Sequence, residues 1–320
     1  PLRMLVSNID YNDYVGRMAI GRVFAGTVRQ DQPIALLKRD GRRQAGQVGD
    51  LQQFINLRRE KAASAVAGDI VCVAGLPEVD IGDTIADGEN PEPLVATEVA
   101  APTLSMIFLV NDSPFCGTEG QFVTARHLRE RLDKELRSNV ALRVENTDAP
   151  NRWKVSGRGL LHLSILIETM RREGYELQVM KPQVILHEEN GETQEPVEVA
   201  TVDVPEEYAG KVIEIFGARK GMVAKMEVKR GRAQFLFRIP SRGLIGLASR
   251  LLNATRGEAV MYHAYEGYEP HKGPIAQRTT GALVSMAAGP ATSYALNDVK
   301  DRGTFFVGNG DLVYEGMVVG

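Results

Sequence analysis

Residues 222–239 read Met222-Val223-Ala224-Lys225-Met226-Glu227-Val228-Lys229-Arg230-Gly231-Arg232-Ala233-Gln234-Phe235-Leu236-Phe237-Arg238-Ile239, two alternating runs around a turn. Alternation at period two marks strands with one face buried. In the first run Ala224, Met226 and Val228 point one way, and Lys225, Glu227 and Lys229 the other. In the second, Ala233, Phe235, Phe237 and Ile239 form the core side, opposite Arg232, Gln234 and Arg238. Helical periodicity flanks this pair over 206–216 and 243–255, and further strands read at 197–204 and 258–263. The order is βαββαβ, the split arrangement of two helices on one face of a four-stranded antiparallel sheet.

The same order occurs once more upstream. Strand 103–110 leads to helix 121–138, strands 140–145 and 152–156, helix 160–172 and strand 175–180. Leu128, Leu132 and Leu136 repeat every four residues as a core-facing stripe. Gly174 and Gly257 stand where helix C-caps belong. The interval Glu188–Glu195 reads as a short acidic connector. Residues 1–93 read as short strands with turns, Asp40-Gly41 among them, and suggest a closed antiparallel barrel. Asp87-Gly88-Glu89-Asn90-Pro91-Glu92-Pro93 reads as a linker. Beyond Pro270 the helical period vanishes, and 282–286, 291–296, 304–307 and 311–314 read as strands. The expected fold class is multidomain β and α+β. It comprises a barrel over 1–93, ferredoxin-like domains over 99–187 and 195–269, and a partial β-rich domain over 270–320.

The chain has 320 residues, 43% hydrophobic and 25% charged, the balance of an ordinary soluble protein. No apolar run approaches the roughly 20 residues that span a bilayer, and no signal peptide opens the sequence. Cys72 and Cys116 lie far apart, which argues against a disulfide framework and for the cytoplasm. Both ends fall within strand-like sequence and look cut, so a longer parent protein is expected.

A catalytic reading fails at each candidate. No phosphate-binding G-x-x-x-x-G-K-[ST] and no guanine-reading N-K-x-D occur. Asp13-Tyr14-Val15-Gly16 matches D-x-x-G, but two fixed letters in a barrel strand specify little. Gly157-Arg158-Gly159 begins like a dinucleotide fingerprint, yet His162 stands where the third glycine belongs. The pair reads instead as a tight strand-to-helix turn. The five histidines have no metal-ligand spacing. Cys116, near His127, reads as a small buried thiol in a turn.

Taken in order, several segments resemble the translational GTPase superfamily. Val15-Gly16-Arg17-Met18-Ala19-Ile20-Gly21-Arg22-Val23-Phe24-Ala25-Gly26 resembles the barrel domain of elongation factors Tu and G. Val155-Ser156-Gly157-Arg158-Gly159-Leu160-Leu161-His162-Leu163 resembles the third domain of elongation factor G, with Leu160 in place of the usual Glu. Ile239-Pro240-Ser241-Arg242-Gly243-Leu244-Ile245-Gly246 and Asn253-Ala254-Thr255-Arg256-Gly257 resemble its fifth domain. Lys181-Pro182 runs almost directly into Glu195-Pro196-Val197, so the fourth domain is absent. Ser113-Pro114-Phe115-Cys116-Gly117, Met170-Arg171-Arg172-Glu173-Gly174 and the tail from Gln277-Arg278 to Lys300-Asp301-Arg302-Gly303 are similar to the BipA/TypA family.

The resemblance implies the ribosome- and RNA-docking region of a factor acting in translation or ribosome assembly under stress. Its partners would be the ribosome, through rRNA and A-site tRNA, with no membrane contact and a monomeric chain. No cofactor is expected within these residues, which are not an enzyme by themselves. GTP and Mg2+ would belong to an N-terminal hydrolase domain of the parent. The alternatives are the equivalent region of elongation factor four (LepA), which the Ser113–Gly117 segment opposes, and a free-standing RNA-binding adaptor.

Charge distribution suggests where RNA would bind. Net charge is −3, yet residues 219–256 hold ten Lys or Arg against one acid, Glu227, while 69–98 hold eight acids and no cation. The candidate RNA-binding residues are Arg219, Lys220, Lys225, Lys229, Arg230, Arg232, Arg238 and Arg242. They define a basic sheet face without aromatic residues, suited to phosphate contacts. Changing Lys225, Arg232 and Arg238 to Glu is expected to abolish ribosome binding and leave the melt unchanged.

Overall fold

The structure is a computed structural model that describes residues 1–56, 58–88, 91–95, 101–275 and 281–320. It divides into two compact units, residues 1–111 with 116–186, and residues 112–115 with 187–320.

The first unit opens with strands β1 (Arg3–Asn12), β2 (Gly16–Ala25), β3 (Thr27–Arg29), β4 (Pro33–Leu37) and β5 (Arg43–Gln47). They continue as β6 (Asp50–Ile55), β7 (Arg58–Lys61), β8 (Ser64–Val66), β9 (Ile70–Ala74) and β10 (Thr84–Asp87). The sheet order is β5-β4-β10-β1-β2-β9-β6-β7, with β3 and β8 paired separately. Only Val48 and Gly49 separate β5, which pairs with β4, from β6, which pairs with β9. That bent strand closes the expected barrel. Its interior holds Met4, Val6, Val23, Leu51, Val73 and Ile85. At Gly21 a Cβ would lie 1.9 Å from the Leu5 carbonyl oxygen, so only glycine allows β1 and β2 to approach. Of the expected linker 87–93, Glu89 and Asn90 lie outside the described residues.

The unit continues with β11 (Leu104–Val110), α1 (Ala125–Leu136), β12 (Arg143–Asn146), β13 (Arg152–Gly157), α2 (Leu160–Arg172), β14 (Leu177–Val179) and β15 (Gln183–Val184). The order β12-β13-β11-β14 is the ferredoxin-like one. Helix α1 is shorter than expected because the Thr124 hydroxyl caps it, accepting from His127 N. Leu128 and Leu132 are buried, and Leu136 is half-buried. Gly157 needs to be small because His162 and Leu163 crowd it, as the tight-turn reading requires. Cys72 is buried, but Cys116 is exposed, contrary to expectation. It lies on a surface loop whose next turns are gathered by the Glu176 carboxylate, which accepts from Gly117 N and Gly120 N at 2.9 and 3.0 Å.

In the second unit the expected acidic connector is a hairpin. Strands β16 (His187–Glu189) and β17 (Glu192–Pro205) flank Asn190 and Gly191, at φ 53° and 82°. That pair forms the turn whose twist suits a two-residue hairpin, and it overrides the acidic composition around it. Then follow α3 (Ala209–Gly217), β18 (Met222–Lys229), β19 (Arg232–Pro240), α4 (Ser241–Leu244), α5 (Leu247–Ala254) and β20 (Val260–Pro270). The order β18-β19-β17-β20 repeats the ferredoxin-like pattern. Its core is Val202, Val204, Val212, Phe216, Phe235 and Phe237, with Phe216 of α3 and Phe237 of β19 stacked 4.0 Å apart. The helix expected over 243–255 is broken at Gly246, which adopts φ 72°.

Residues 281–320 depart most from expectation. Ala291–Leu296, read as a strand, overlaps helix α6 (Ser293–Asp298), capped by Thr292 through Ala295 N. β21 (Gly289–Pro290) pairs with β22 (Leu312–Val313), Val284 bridges Val318, and 304–307 forms no strand. The segment is too short and polar for an amphipathic period, so the cap decides. Gln277-Arg278 lies outside the described residues.

Candidate nucleic-acid interface

Strands β18 and β19 carry four of the eight candidate cations, and their register fixes which face each occupies. Lys225 stands opposite Leu236, Glu227 opposite Gln234, and Lys229 opposite Arg232, while Met226 faces Phe235 on the core side. The expected alternation holds from Lys225 onward. A bulge between Val223 and Lys225 displaces Ala224 from it. Arg238 shares the outer face with Arg232, because the side chains between them, Ala233, Phe235 and Phe237, are buried against the helices.

The face is not of one sign. Lys225 and Lys229 each lie 2.5 Å from a Glu227 carboxylate oxygen, and hydrogen bonds from the two ammoniums hold that carboxyl down to about 2. Arg232 pairs with Asp203 of β17. Arg238 reaches Glu266 at 2.8 Å and Glu269 at 2.5 Å on β20, and the hydrogen bond to Glu266 followed by the Glu269 charge raises its pKa. The sequence count missed these partners because a strand's neighbours in a sheet come from distant segments. Here β17 and β20 bring acids that 219–256 lacks.

Arg242 does not join this face. It holds the fully buried Glu195 carboxylate with two nitrogens and also donates to the Gly273 carbonyl at 2.5 Å. Arg219 is half-buried and donates to the Ile245 carbonyl at 3.3 Å. Lys220, at φ 65°, and Arg230, at φ 54°, are exposed in the turns at either end of β18. Neither forms an ion pair with a described residue. Arg219 also lacks an ion pair, but Lys220 and Arg230 are the candidates left exposed with neither an ion pair nor a side-chain hydrogen bond to a described residue.

The outer face also has an aromatic residue, contrary to expectation. Tyr262 of β20 stands opposite Thr201 and is exposed, while Met261 beside it packs into the core. Continuing the alternation from Met261 would have found it in the sequence. No cluster of three metal-ligating side chains occurs among the described residues, and no described helix is long and apolar enough to cross a membrane.

Three family models match parts of the chain. Residues 1–88 match the family model described as elongation factor G domain 2, and residues 192–279 match elongation factor G C-terminus. Residues 280–320 match the TypA/BipA C-terminal domain. A protein of Bacillus subtilis (strain 168) named large ribosomal subunit assembly factor BipA is 48% identical over 322 residues, covering 100% of this chain and 53% of that protein. Proteins of the same name from Synechocystis sp. and Escherichia coli (strain K12) are 47% and 45% identical, again over 100% of the chain and over 54% and 53% of theirs. The chain spans about half the length of the curated relatives it matches.

Proposed function

Because this chain belongs to the TypA/BipA family, we propose that it is the RNA-docking region of a ribosome-associated GTPase factor that serves large-subunit assembly and translation under stress. The order of parts carries this reading: barrel, ferredoxin-like sheet, two-residue hairpin, second ferredoxin-like sheet, and a TypA/BipA-type C-terminal domain. The last of these favours this branch over elongation factor four. GTP and Mg2+ are handled outside these residues, in the cytoplasm, and the chain supplies shape and contact surface as a monomer.

Lys220 and Arg230 are the phosphate contacts of the second sheet, because these two candidate side chains have no internal partner among the described residues. Removing one phosphate interaction lowers the log–log salt slope of binding by about one. Cosedimentation with purified large subunits over a salt series tests this. The chain should sediment with them at low salt, and Lys220→Glu with Arg230→Glu should flatten the slope by about two. Failure of the unaltered chain to sediment would overturn the docking reading, and an unchanged slope would overturn the assignment of these two residues.

A further inference from the structure

The ion pairs of the second sheet leave a cleft open on its outer face. Register places Lys225, Leu236, Thr201 and Tyr262 in one row across four strands. Glu227 and Gln234 stand in the next row. These six residues, together with Phe235, line a cavity of about 280 Å³. Tyr262, 62% exposed, forms one wall, and the Lys225–Glu227 pair forms the other. Leu236, Thr201 and Gln234 make the floor.

The lining specifies its ligand. An exposed tyrosine ring beside the Leu236 side chain suits a flat aromatic ring, since bases of any sequence have a π face to stack. A bare phosphate is disfavoured by the Glu227 carboxylate. Glu227 can only accept hydrogen bonds and Lys225 can only donate them, so the ligand's edge must show both kinds of group. Guanine shows a carbonyl oxygen beside two adjacent N–H groups, ring and amino, which the two oxygens of a carboxylate can accept together. Uracil offers a single ring N–H, cytosine an amino group with no ring N–H beside it, and adenine has no carbonyl. We infer that the cleft receives one unpaired guanine of RNA, stacked on Tyr262, with Lys225 donating to its carbonyl oxygen and Glu227 accepting from its N–H edge.

The inference rests on the docking reading above and refines it. A single base is bound, not a run. Sheets of this topology that track single strands carry aromatics on their central strands and stack two or three bases. Here the central strands present Thr201, Gln234 and Leu236, and the aromatic stands on β20 alone. Lys220 and Arg230, in the turns at either end of β18, lie too far apart to meet the two phosphates next to that base, and take phosphates farther along the strand on either side.

The test uses fluorescein-labelled pentanucleotides of uridine with a central guanosine, adenosine or uridine, read by anisotropy against the full chain. The guanosine oligomer should bind about tenfold more tightly than the others, near the low end of what one stacked, hydrogen-bonded base supplies. Tyr262→Leu should remove about tenfold of the guanosine binding, and Tyr262→Phe should retain it. Glu227→Ala, which removes the acceptor altogether, should erase the preference for guanosine over adenosine while the chain stays folded in circular dichroism. Equal binding of all three oligomers, or a guanosine preference that survives Tyr262→Leu, would overturn the inference. The guanosine preference and its loss in Tyr262→Leu read the cleft, and sedimentation with large subunits reads docking, so each reading can fail separately.

Discussion

Arg242 grips Glu195 with two guanidinium nitrogens, and the carboxylate it holds has no solvent exposure. Lys272 N adds a third donor at 2.7 Å. Burial alone would raise the Glu195 carboxyl, but the Arg242 hydrogen bond and the Lys272 amide outweigh it and hold the pKa below its usual value. The pair ties the start of β17 to α4 and to the backbone after β20. Arg242→Ala leaves a buried carboxylate without its cation, which costs about 3–5 kcal/mol. A drop in the melting temperature is therefore expected, checked by calorimetry at neutral pH. The loss should shrink as pH falls through the Glu195 folded pKa, because protonation removes the charge that Arg242 satisfies.

His263 and Glu198 should make stability depend on pH in the opposite sense. Their side chains lie 2.5 Å apart, and the hydrogen bond to Glu198 raises the His263 pKa despite partial burial. A raised histidine pKa contributes stability that is complete below the unfolded value of about 6.5 and lost as pH rises through the folded one. Glu198→Gln should cost on the order of 1 kcal/mol at pH 5.5 and clearly less at pH 9. Denaturant melts of the two proteins at both pH values measure the difference. An equal cost at both would remove the histidine from the account.

Residues 281–320 should exchange their amide hydrogens faster than the two ferredoxin-like sheets. No residue of this stretch is buried, and Met286, Tyr294 and Phe306 are largely exposed. Protection follows the apolar packing that must be undone to open a segment. Mass spectrometry after brief deuteration should show 281–320 labelled before β17 and β19. Matching protection in both regions would contradict the expectation.

These residues should not bind GTP by themselves. No sequence here encodes a phosphate-cradling loop or a guanine-nucleotide reader of the usual kind. The guanine cleft on the outer face presents Glu227, which repels a triphosphate. Titration with a fluorescent GTP analogue should show no saturation in the micromolar range, and saturation there would refute the expectation.

The charge-reversal of Lys225, Arg232 and Arg238 has a different meaning once their partners are known. Each new glutamate would face Glu227, Asp203, or Glu266 and Glu269, so the melt should fall and binding would no longer report on RNA alone. The strands themselves were legible, because the period-two run of Ala233, Phe235, Phe237 and Ile239 admits one buried face. Their partners were not, because nothing in residues 219–256 reveals that Asp203 and Glu266 arrive from neighbouring strands. The bulge at Ala224 and the Gly246 break were hidden for a related reason: periodicity reports faces, and both features interrupt it by a single residue. Asn190-Gly191 was the opposite case, a strong turn signal obscured by the acids around it.

That turn bears on how such a chain could change over evolutionary time. Asn190 and Gly191 are exposed, and the strands they join are hydrogen-bonded to each other at once, Glu189 opposite Glu192. The two chain ends at the tip are therefore neighbours, held in place by a ladder that does not depend on what lies between them. A polypeptide of any length whose own termini lie close together can be spliced in at such a point, or excised, without shifting the register of β16 and β17. The hairpin is a natural junction at which a lineage could gain or lose a whole module while the sheet beneath it keeps folding unchanged.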